Sequence, residues 1–299
     1  MFGRILLPLD GSEVAEMAIP YAKEFAGRLG SEIVLYHVHE QGHQQQEHMD
    51  QIYLNTLVET IRRDIGKIES SGAEVKVTTK VELGEPAENI CNLVNKNKVD
   101  LIIMTAVSIS GLKIGKMLGS VTDHVCRTVP SPVMLIRPKG FHPPEGDRTL
   151  ITKILIPLDG SDLSKLAIPV GEKLATALKV PITLFEMANM IRPYVTFGGY
   201  GTIIDYSKWD AEEKKRSDEE MSALTEELKL AGVDATSVVT SGFDAAYEIE
   251  KVSKKIGTDL VIMSTNGRSG FERWILGSVA ERVLRYGEIP LILINARAG

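Results

Sequence analysis

Glycine and serine residues between positions 267 and 278 have the types and spacing of a phosphate-binding loop. Gly267 and Arg268 follow an apolar run that ends at Met263, and nine residues separate Gly267 from Gly277-Ser278, which opens a helical pattern. Glycines let the backbone approach a ligand closely, and the unpaired N–H groups and dipole of a helix start favour phosphate oxygens. Ser278 adds a hydroxyl donor and Arg268 a positive charge. The simpler interpretation is an ordinary helix N-cap.

A carboxylate lies at the end of an earlier apolar run. Asp159 closes the run KILIPLD and precedes Gly160-Ser161. In open α/β sheets, ligands bind beyond the carboxyl ends of the strands, where the strand order reverses. If the sheet reverses there, Asp159 can accept hydrogen bonds from a ribose or a base. Alternatively, Asp159 and its counterpart Asp10 only shape Asp-Gly turns.

The chain is a duplication. The stretch RILLPLDGSEVAEMAIPYA at 4–22 returns as KILIPLDGSDLSKLAIPVG at 153–171, and MLGSVTDHV returns as ILGSVAERV. A period near 150 residues indicates one duplicated domain rather than a short solenoid repeat. We predict domains at 1–139 and 151–299, joined by a linker at 140–150 that is rich in proline and glycine.

Strand and helix patterns alternate within each copy. Several runs are apolar on consecutive positions, as strands buried on both faces require. The alternation predicts two doubly wound, Rossmann-like α/β domains, each with a parallel sheet of about five strands. We expect the first copy to have helices over 12–29, 49–70 and 87–96. Pro20 and Pro169 should kink the first helix of each copy.

Together these motifs resemble the universal stress protein family in its tandem, two-domain form. The resemblance implies a nucleotide site in each copy, with Met187 against the adenine in the second. Alternatively, Met187 is only a residue of the apolar core. Ser264 and Ala280 depart from the family pattern, which has a glycine and often a hydroxyl there. In the second copy, the matching residues are Pro157, Asp159, Met187, Met263, Gly267, Gly277, Ser278 and Val279.

The first copy matches the family less well. Its loop lacks both early glycines, since Thr105 and Ser108 occupy or adjoin their positions, and ten residues rather than nine separate Ser108 from Gly119. We therefore expect the second domain to bind nucleotide better, while the first binds weakly or serves as a structural partner. The matching residues of the first copy are Pro8, Asp10, Val38, Met104, Gly119, Ser120, Val121 and Thr122.

The family resemblance implies a stress-response protein that binds ATP, or AMP or ADP, with Mg²⁺ able to accompany ATP. Its role would be sensing or regulation through ligand-dependent association. No side chain is evidently placed as a nucleophile, general base or metal ligand, so we expect at most slow ATP hydrolysis.

Two alternatives to this function remain. One is an adenylating ligase or pyrophosphatase of the wider nucleotide-binding group, although PLDGSEV and PLDGSDL replace the SGGxDS loop of such enzymes. The other is a scaffold that binds no nucleotide.

Composition restricts the partners. The net charge of −6 disfavours a dedicated nucleic-acid binder, which needs a basic surface. No apolar run approaches the ~18 residues of a membrane span. With only two cysteines and no signal-peptide pattern, we expect a soluble, cytoplasmic protein.

Similarity to related proteins implies that PVMLIRP and PLILINA pair the two domains into a pseudo-dimer, and whole chains are expected to form a homodimer.

Two segments have no counterpart in the family pattern. Histidines stand at 37, 39, 43 and 48, near Glu40 and Glu47. A transition-metal site is conceivable because His37 and His39 share a strand face, but we interpret the segment as a solvated polar loop and assign no metal ligand. The aromatic, glycine-containing stretch at 188–209 is either a lid or docking surface, or a loop packed over the sheet edge.

Overall fold

The structure is a computed structural model that describes residues 2–39, 47–66, 75–106, 118–138, 149–189, 207–265 and 276–295. The first half of the chain contains β1 (Arg4–Pro8), α1 (Glu13–Glu16), α2 (Ile19–Leu29), β2 (Glu32–His39), α3 (Glu47–Ile65), β3 (Val77–Leu83), α4 (Pro86–Lys96), β4 (Leu101–Thr105), α5 (Ser120–Thr128) and β5 (Val133–Ile136). The second half contains β6 (Ile154–Leu158), α6 (Asp162–Lys165), α7 (Ala167–Leu178), β7 (Ile182–Asn189), α8 (Ser207–Leu230), β8 (Ala235–Gly242), α9 (Ala245–Ile256), β9 (Leu260–Ser264), α10 (Ser278–Tyr286) and β10 (Leu291–Ile294).

The described strands form one ten-stranded sheet. Their order is β3-β2-β1-β4-β5-β10-β9-β6-β7-β8, so each half has the same internal order. Neighbours are parallel within each half. At the centre, β5 and β10 are antiparallel, with Met134 opposite Ile292. The predicted fold class and the predicted pairing of the two closing strands are confirmed.

The alternation of side chains along the strands produces two apolar cores, one on each face of the sheet. On one face, α2, α3, α7 and α8 pack on residues such as Ile5 and Ile156. On the other, α4, α5, α9 and α10 pack on residues such as Leu6 and Leu155. Both cores extend across the two halves of the chain. Because both faces of the sheet are covered by helices, the strands are apolar at consecutive positions.

The prolines do not kink the first helix of each copy, and that prediction is wrong. The chain instead forms a one-turn helix and then a second helix: α1 and α2 in the first half, α6 and α7 in the second. Pro20 stands in the first turn of α2, and Pro169 is the third residue of α7. A proline is tolerated there because the first N–H groups of a helix have no intrahelical partner.

Polar side chains join the halves on both faces of the sheet. The guanidinium of Arg137, directly after β5, donates to the carbonyls of Val283 and Leu284 at the end of α10. Reciprocally, the amide of Asn295, directly after β10, donates to the carbonyl of Val129 at the end of α5, at 3.1 Å. We call these contacts the reciprocal caps. On the other face, the carboxylate of Glu24 accepts from the backbone N–H groups that enter the second half at 150 and 151.

Candidate nucleotide site

A cavity of about 300 Å³ opens at the carboxyl ends of β1, β2 and β4 in the first half of the chain. This is the point where the strand order reverses, because β1 pairs with β2 on one side and with β4 on the other. The volume lies at the lower end of the range of roughly 300–1,000 Å³ that small-molecule sites occupy. The lining includes all the first-copy residues that the sequence singled out: Pro8, Asp10, Val38, Met104, Gly119, Ser120, Val121 and Thr122.

A tight turn after β1 positions Asp10 at the rim. Gly11 has φ +79°, a left-handed conformation that favours glycine. One carboxylate oxygen of Asp10 accepts from the N–H of Ser12 at 3.0 Å, and the Ser12 hydroxyl caps α1 by accepting from the N–H of Ala15 at 3.1 Å. Asp10 therefore does shape its turn. That role uses Oδ1 and leaves the side chain exposed at the mouth of the cavity.

The opposite rim is the start of α5. Its N-cap is Gly119, which has no side chain to bond the first-turn N–H groups. The N–H of Gly119 itself donates to the carbonyl of Ala106 at 3.0 Å, which holds the helix start against the end of β4. The hydroxyl of Thr122 reinforces this attachment by donating to the carbonyl of Thr105 at 3.0 Å. A helix start without a side-chain cap, beside a cavity, is a suitable place for an anion.

Other residues line the cavity that no sequence pattern indicated. Tyr36, Pro86 and Ile90 contribute apolar wall, and the phenol of Tyr36 donates to the carboxylate of Glu82. Burial, followed by the hydrogen bond with Glu82, raises the pKa of Tyr36 well above its usual value, so its hydroxyl stays protonated. Tyr36 could have been found, because it lies two residues before Val38 on the same strand face. The residues of α4 gave no such signal.

The second half repeats the framework. Asp159 follows β6, and its Oδ1 accepts from the backbone N–H of Ser161 at 3.0 Å and from the Ser161 hydroxyl at 2.6 Å. Strand β6 pairs with β9, so Pro157, Asp159 and Met263 meet at the same sheet edge. Met187 lies half-buried on β7 and packs on the apolar core that contains Leu155. Its position on β7 corresponds to that of Val38 on β2.

Helix α10 begins as α5 does. Gly277 is its N-cap without a side-chain cap, and its N–H donates to the carbonyl of Thr265 at 2.6 Å. Ser278 and Val279 form the first turn. Ala280, at the position of Thr122, is buried and carries no hydroxyl. Gly267 and Arg268 lie outside the described residues, so their place relative to this helix start stays a prediction.

The interpretation of the histidine segment as a solvated loop is wrong for two of its members. His37 and His39 are residues of β2, and the side chain of His39 is only 6% exposed. Both imidazoles face Asp50 of α3. His43 and most of the 188–209 stretch lie outside the described residues.

Comparison with known proteins identifies the fold. The model of the universal stress protein family matches residues 1–137 and again residues 151–295. The chain belongs to the universal stress protein family. Its two matched segments are two universal stress protein domains in tandem, as the duplication indicated. The exact domain boundaries and the linker at 140–150 stay predictions.

Individual universal stress proteins are similar to one domain or to most of the chain. One from Methanocaldococcus jannaschii is 30% identical over 149 residues, which is 49% of this chain and 83% of that protein. One from Mycobacterium tuberculosis is 24% identical over 227 residues, 75% of this chain and 72% of that protein. The crystal structure of one from Archaeoglobus fulgidus superposes with a TM-score of 0.70 at 18% identity, covering 99% of both chains. That structure supports the tandem fold.

Among the described residues, no helix has the length and apolar character needed to cross a membrane.

Proposed function

We propose that this universal stress protein binds adenine nucleotide at the carboxyl edge of its sheet and acts in the stress response as a sensor or regulator through ligand-dependent association. The observation that carries the proposal is the cavity in the first domain. It brings a carboxylate, apolar walls and an uncapped helix start to one place, and these suit a ribose, a base and a phosphate respectively.

The assignment of parts follows from chemistry. The carboxylate of Asp10 accepts from ribose hydroxyls, and Val38 contacts the base. The N–H groups at the start of α5, with the hydroxyl of Ser120, donate to phosphate oxygens. ATP is the proposed ligand, with AMP and ADP as outcomes of the same titration. Mg²⁺ prefers oxygen ligands, and the one carboxylate among the described lining residues is Asp10.

We further propose that the second domain is the better site. Its framework residues stand in the same register, and its loop keeps Gly267 where the first domain has Ser108. A β-carbon weakens a loop whose backbone must approach a phosphate closely. The cavity supports residual binding by the first domain.

Substitution of the two N-cap glycines tests the proposal. Gly119 and Gly277 have φ/ψ near −60°/142° and −57°/146°, which any residue adopts, and Asp is a favoured N-cap. Gly277→Asp therefore keeps the helix while its carboxylate takes the N–H groups and repels phosphate. Loss of two hydrogen bonds to a charged group, about 3 kcal/mol, predicts that ATP affinity falls about 100-fold.

Calorimetric titration of the full chain with ATP measures the effect, with Gly119→Asp as the test of the first domain and Gly277→Asn as the neutral control. We expect Gly277→Asp to remove the tight site, Gly119→Asp to remove at most a weak one, and Gly277→Asn to weaken binding less than Gly277→Asp. Loss of tight binding in Gly119→Asp alone would reverse the order of the domains. No binding by the wild-type chain, with equal thermal stability with and without ATP, would favour the scaffold. Rapid ATP turnover with an acceptor would favour an enzyme.

Two further proposals concern the whole chain. We propose that whole chains form a homodimer. Because β5 and β10 pair with each other within one chain, the homodimer must form through another surface. Light scattering on the purified protein tests whether the homodimer forms. A cytoplasmic location is consistent with Cys91 and Cys126, which are buried free thiols. Localisation of a fluorescent fusion tests that proposal.

A further inference from the structure

Two histidines and an aspartate converge on the face of β2 opposite the cavity. His37 and His39 lie two residues apart on the strand, with ring centroids 5.1 Å apart and ring planes at 88°. One oxygen of Asp50, Oδ2, lies 3.4 Å from Nε2 of His37 and 3.0 Å from Nδ1 of His39. Candidate ligand atoms of all three side chains lie within 4.8 Å of one another.

Hydrogen bonding determines what His37 can offer. Its Nδ1 lies 2.8 Å from the carbonyl oxygen of Leu9. A carbonyl only accepts, so Nδ1 carries a proton and donates it. In the neutral ring, Nε2 then carries a lone pair that faces a carboxylate oxygen. Two lone pairs at this distance repel each other unless a cation or a proton lies between them.

His39 is the most buried member of the cluster. Its side chain is 94% buried, and its Nδ1 lies 3.0 Å from Oδ2 of Asp50, so Nδ1 is the atom that it can offer to a metal. The proton of the neutral ring then lies on Nε2, which has no hydrogen-bond partner among the described residues and faces away from Asp50.

We propose that His37, His39 and Asp50 bind a divalent transition metal of the Zn²⁺ class. Neutral imidazole and carboxylate suit this class of ion. In a tetrahedral zinc site, bonds of 2.0–2.2 Å place ligand atoms about 3.4 Å apart, close to the 3.0 and 3.4 Å separations observed. The carbonyl of Leu9 orients the His37 ring from outside the coordination sphere, as carbonyls do for metal-bound histidines. Three protein ligands leave a fourth position for water.

The second domain contains a natural control. The strand register pairs Pro8 with Tyr36 and Pro157 with Phe185, so the residues at the positions of His37 and His39 are Glu186 and Ala188. Glu186 instead accepts a hydrogen bond from Ser217 at 3.0 Å. The proposed site therefore belongs to the first domain alone, and the stoichiometry should be one metal ion per chain rather than two.

Calorimetric titration of the tag-free, chelator-treated full chain with Zn²⁺, in the absence of nucleotide, tests the site. Cobalt absorption reports the coordination geometry. We expect one Zn²⁺ per chain, a tetrahedral Co²⁺ spectrum, and thermal stabilisation by Zn²⁺. Asp50→Asn keeps the size of the side chain and should weaken affinity by at least about tenfold, since loss of a mere supporting group costs 10–100-fold. His37→Gln should do the same.

Exposed histidines of the same domain supply the controls. His48 and His124 are exposed, and His48→Gln and His124→Gln should leave Zn²⁺ binding unchanged. If Zn²⁺ does not bind, a proton rather than a metal joins His37 to Asp50, and the proposal is wrong. It is equally wrong if Asp50→Asn and His37→Gln, shown to be folded by circular dichroism, bind Zn²⁺ as the wild type does.

Discussion

The two universal stress protein domains share one framework and differ in the side chains attached to it. Each has the same internal strand order, an Asp-Gly-Ser turn after its first strand and a glycine-capped helix after its fourth. At equivalent positions, the first domain has Thr122 bonded to β4 and a histidine pair on β2. The second has Ala280 and the pair of Glu186 with Ser217. The backbone therefore preserves the ligand-binding edge, while individual side chains make the halves different.

The largest expected effect tests the reciprocal caps, which are symmetric in position but not in chemistry. Arg137 donates from a buried guanidinium, and burial lowers its pKa to about 10. Asn295 donates from a neutral amide. Arg137→Ala removes two charge-assisted hydrogen bonds and should lower the free energy of unfolding by about 3 kcal/mol, against about 1 kcal/mol for Asn295→Ala.

Urea denaturation followed by circular dichroism measures both changes, with Arg137→Lys as a variant that keeps the charge but loses the planar fork. Arg137→Lys should fall between the wild type and Arg137→Ala. Equal losses in Arg137→Ala and Asn295→Ala would show that the two caps are equivalent in energy, contrary to this comparison.

The next effect concerns the helices that follow β3 and β8. In the second domain, Asp244 caps α9 by accepting from the N–H of Tyr247 at 3.2 Å and pairs with Arg282 at 2.6 Å. In the first, Glu85 stands at the N-cap of α4 without a side-chain cap. Asp244→Ala should cost about 1 kcal/mol at pH 7. Glu85→Ala should stay within about 0.5 kcal/mol of the wild type.

The cost of Asp244→Ala should also depend on pH. The hydrogen bond from Arg282 holds the pKa of Asp244 below its ordinary value of 3.8. A carboxyl whose pKa is lowered by folding stabilises the protein above its unfolded pKa, and this stabilisation is lost as the pH falls through the folded pKa. The gap between the wild type and Asp244→Ala should therefore be constant near neutrality and close below about pH 4. Thermal unfolding at pH 7 and at pH 3 checks this. A gap of constant size would contradict it.

The smallest expected effect is a change in stability at the ends of α2 and α7, and it should have opposite signs in the two domains. Helices α2 and α7 both end at a left-handed residue, Gly30 with φ 69° and Lys179 with φ 53°. Side chains disfavour this conformation, and Lys179 is exposed. Lys179→Gly should therefore raise the melting temperature, with a gain of about 0.5–1 kcal/mol, and Gly30→Lys should lower it. Lys179→Ala, which keeps a β-carbon, is the matched control and should give no such gain.

Local features were the predictable part of the fold. The apolar runs predicted about five strands in each copy, and the Asp-Gly segments predicted turns, because each depends on neighbouring residues alone. Long-range contacts left no local signal. Arg137 meets α10 across more than 140 residues, and Asp50 reaches His37 and His39 from a different element.

The residues of the candidate site also divide into those that local patterns predicted and those that only packing brings together. Asp10, Gly119 and their counterparts were found because turns and helix starts have characteristic residues. Ile90 was missed because the helix α4 reaches the cavity only through packing. The effect of Pro20 was misjudged because a proline indicates an interruption of regular hydrogen bonding but not whether a helix bends there or begins just before it.

The antiparallel contact of β5 with β10 has a consequence for how the protein can change. When two identical chains meet through a twofold axis, every substitution occurs twice, and a change that suits one side must also suit the other. Here the two sides of the twofold contact belong to one polypeptide, so a substitution occurs once. The partner is also always present, whatever the protein concentration. The covalent join therefore allows one half to specialise while the other maintains the sheet, and differences such as His37 against Glu186 can persist.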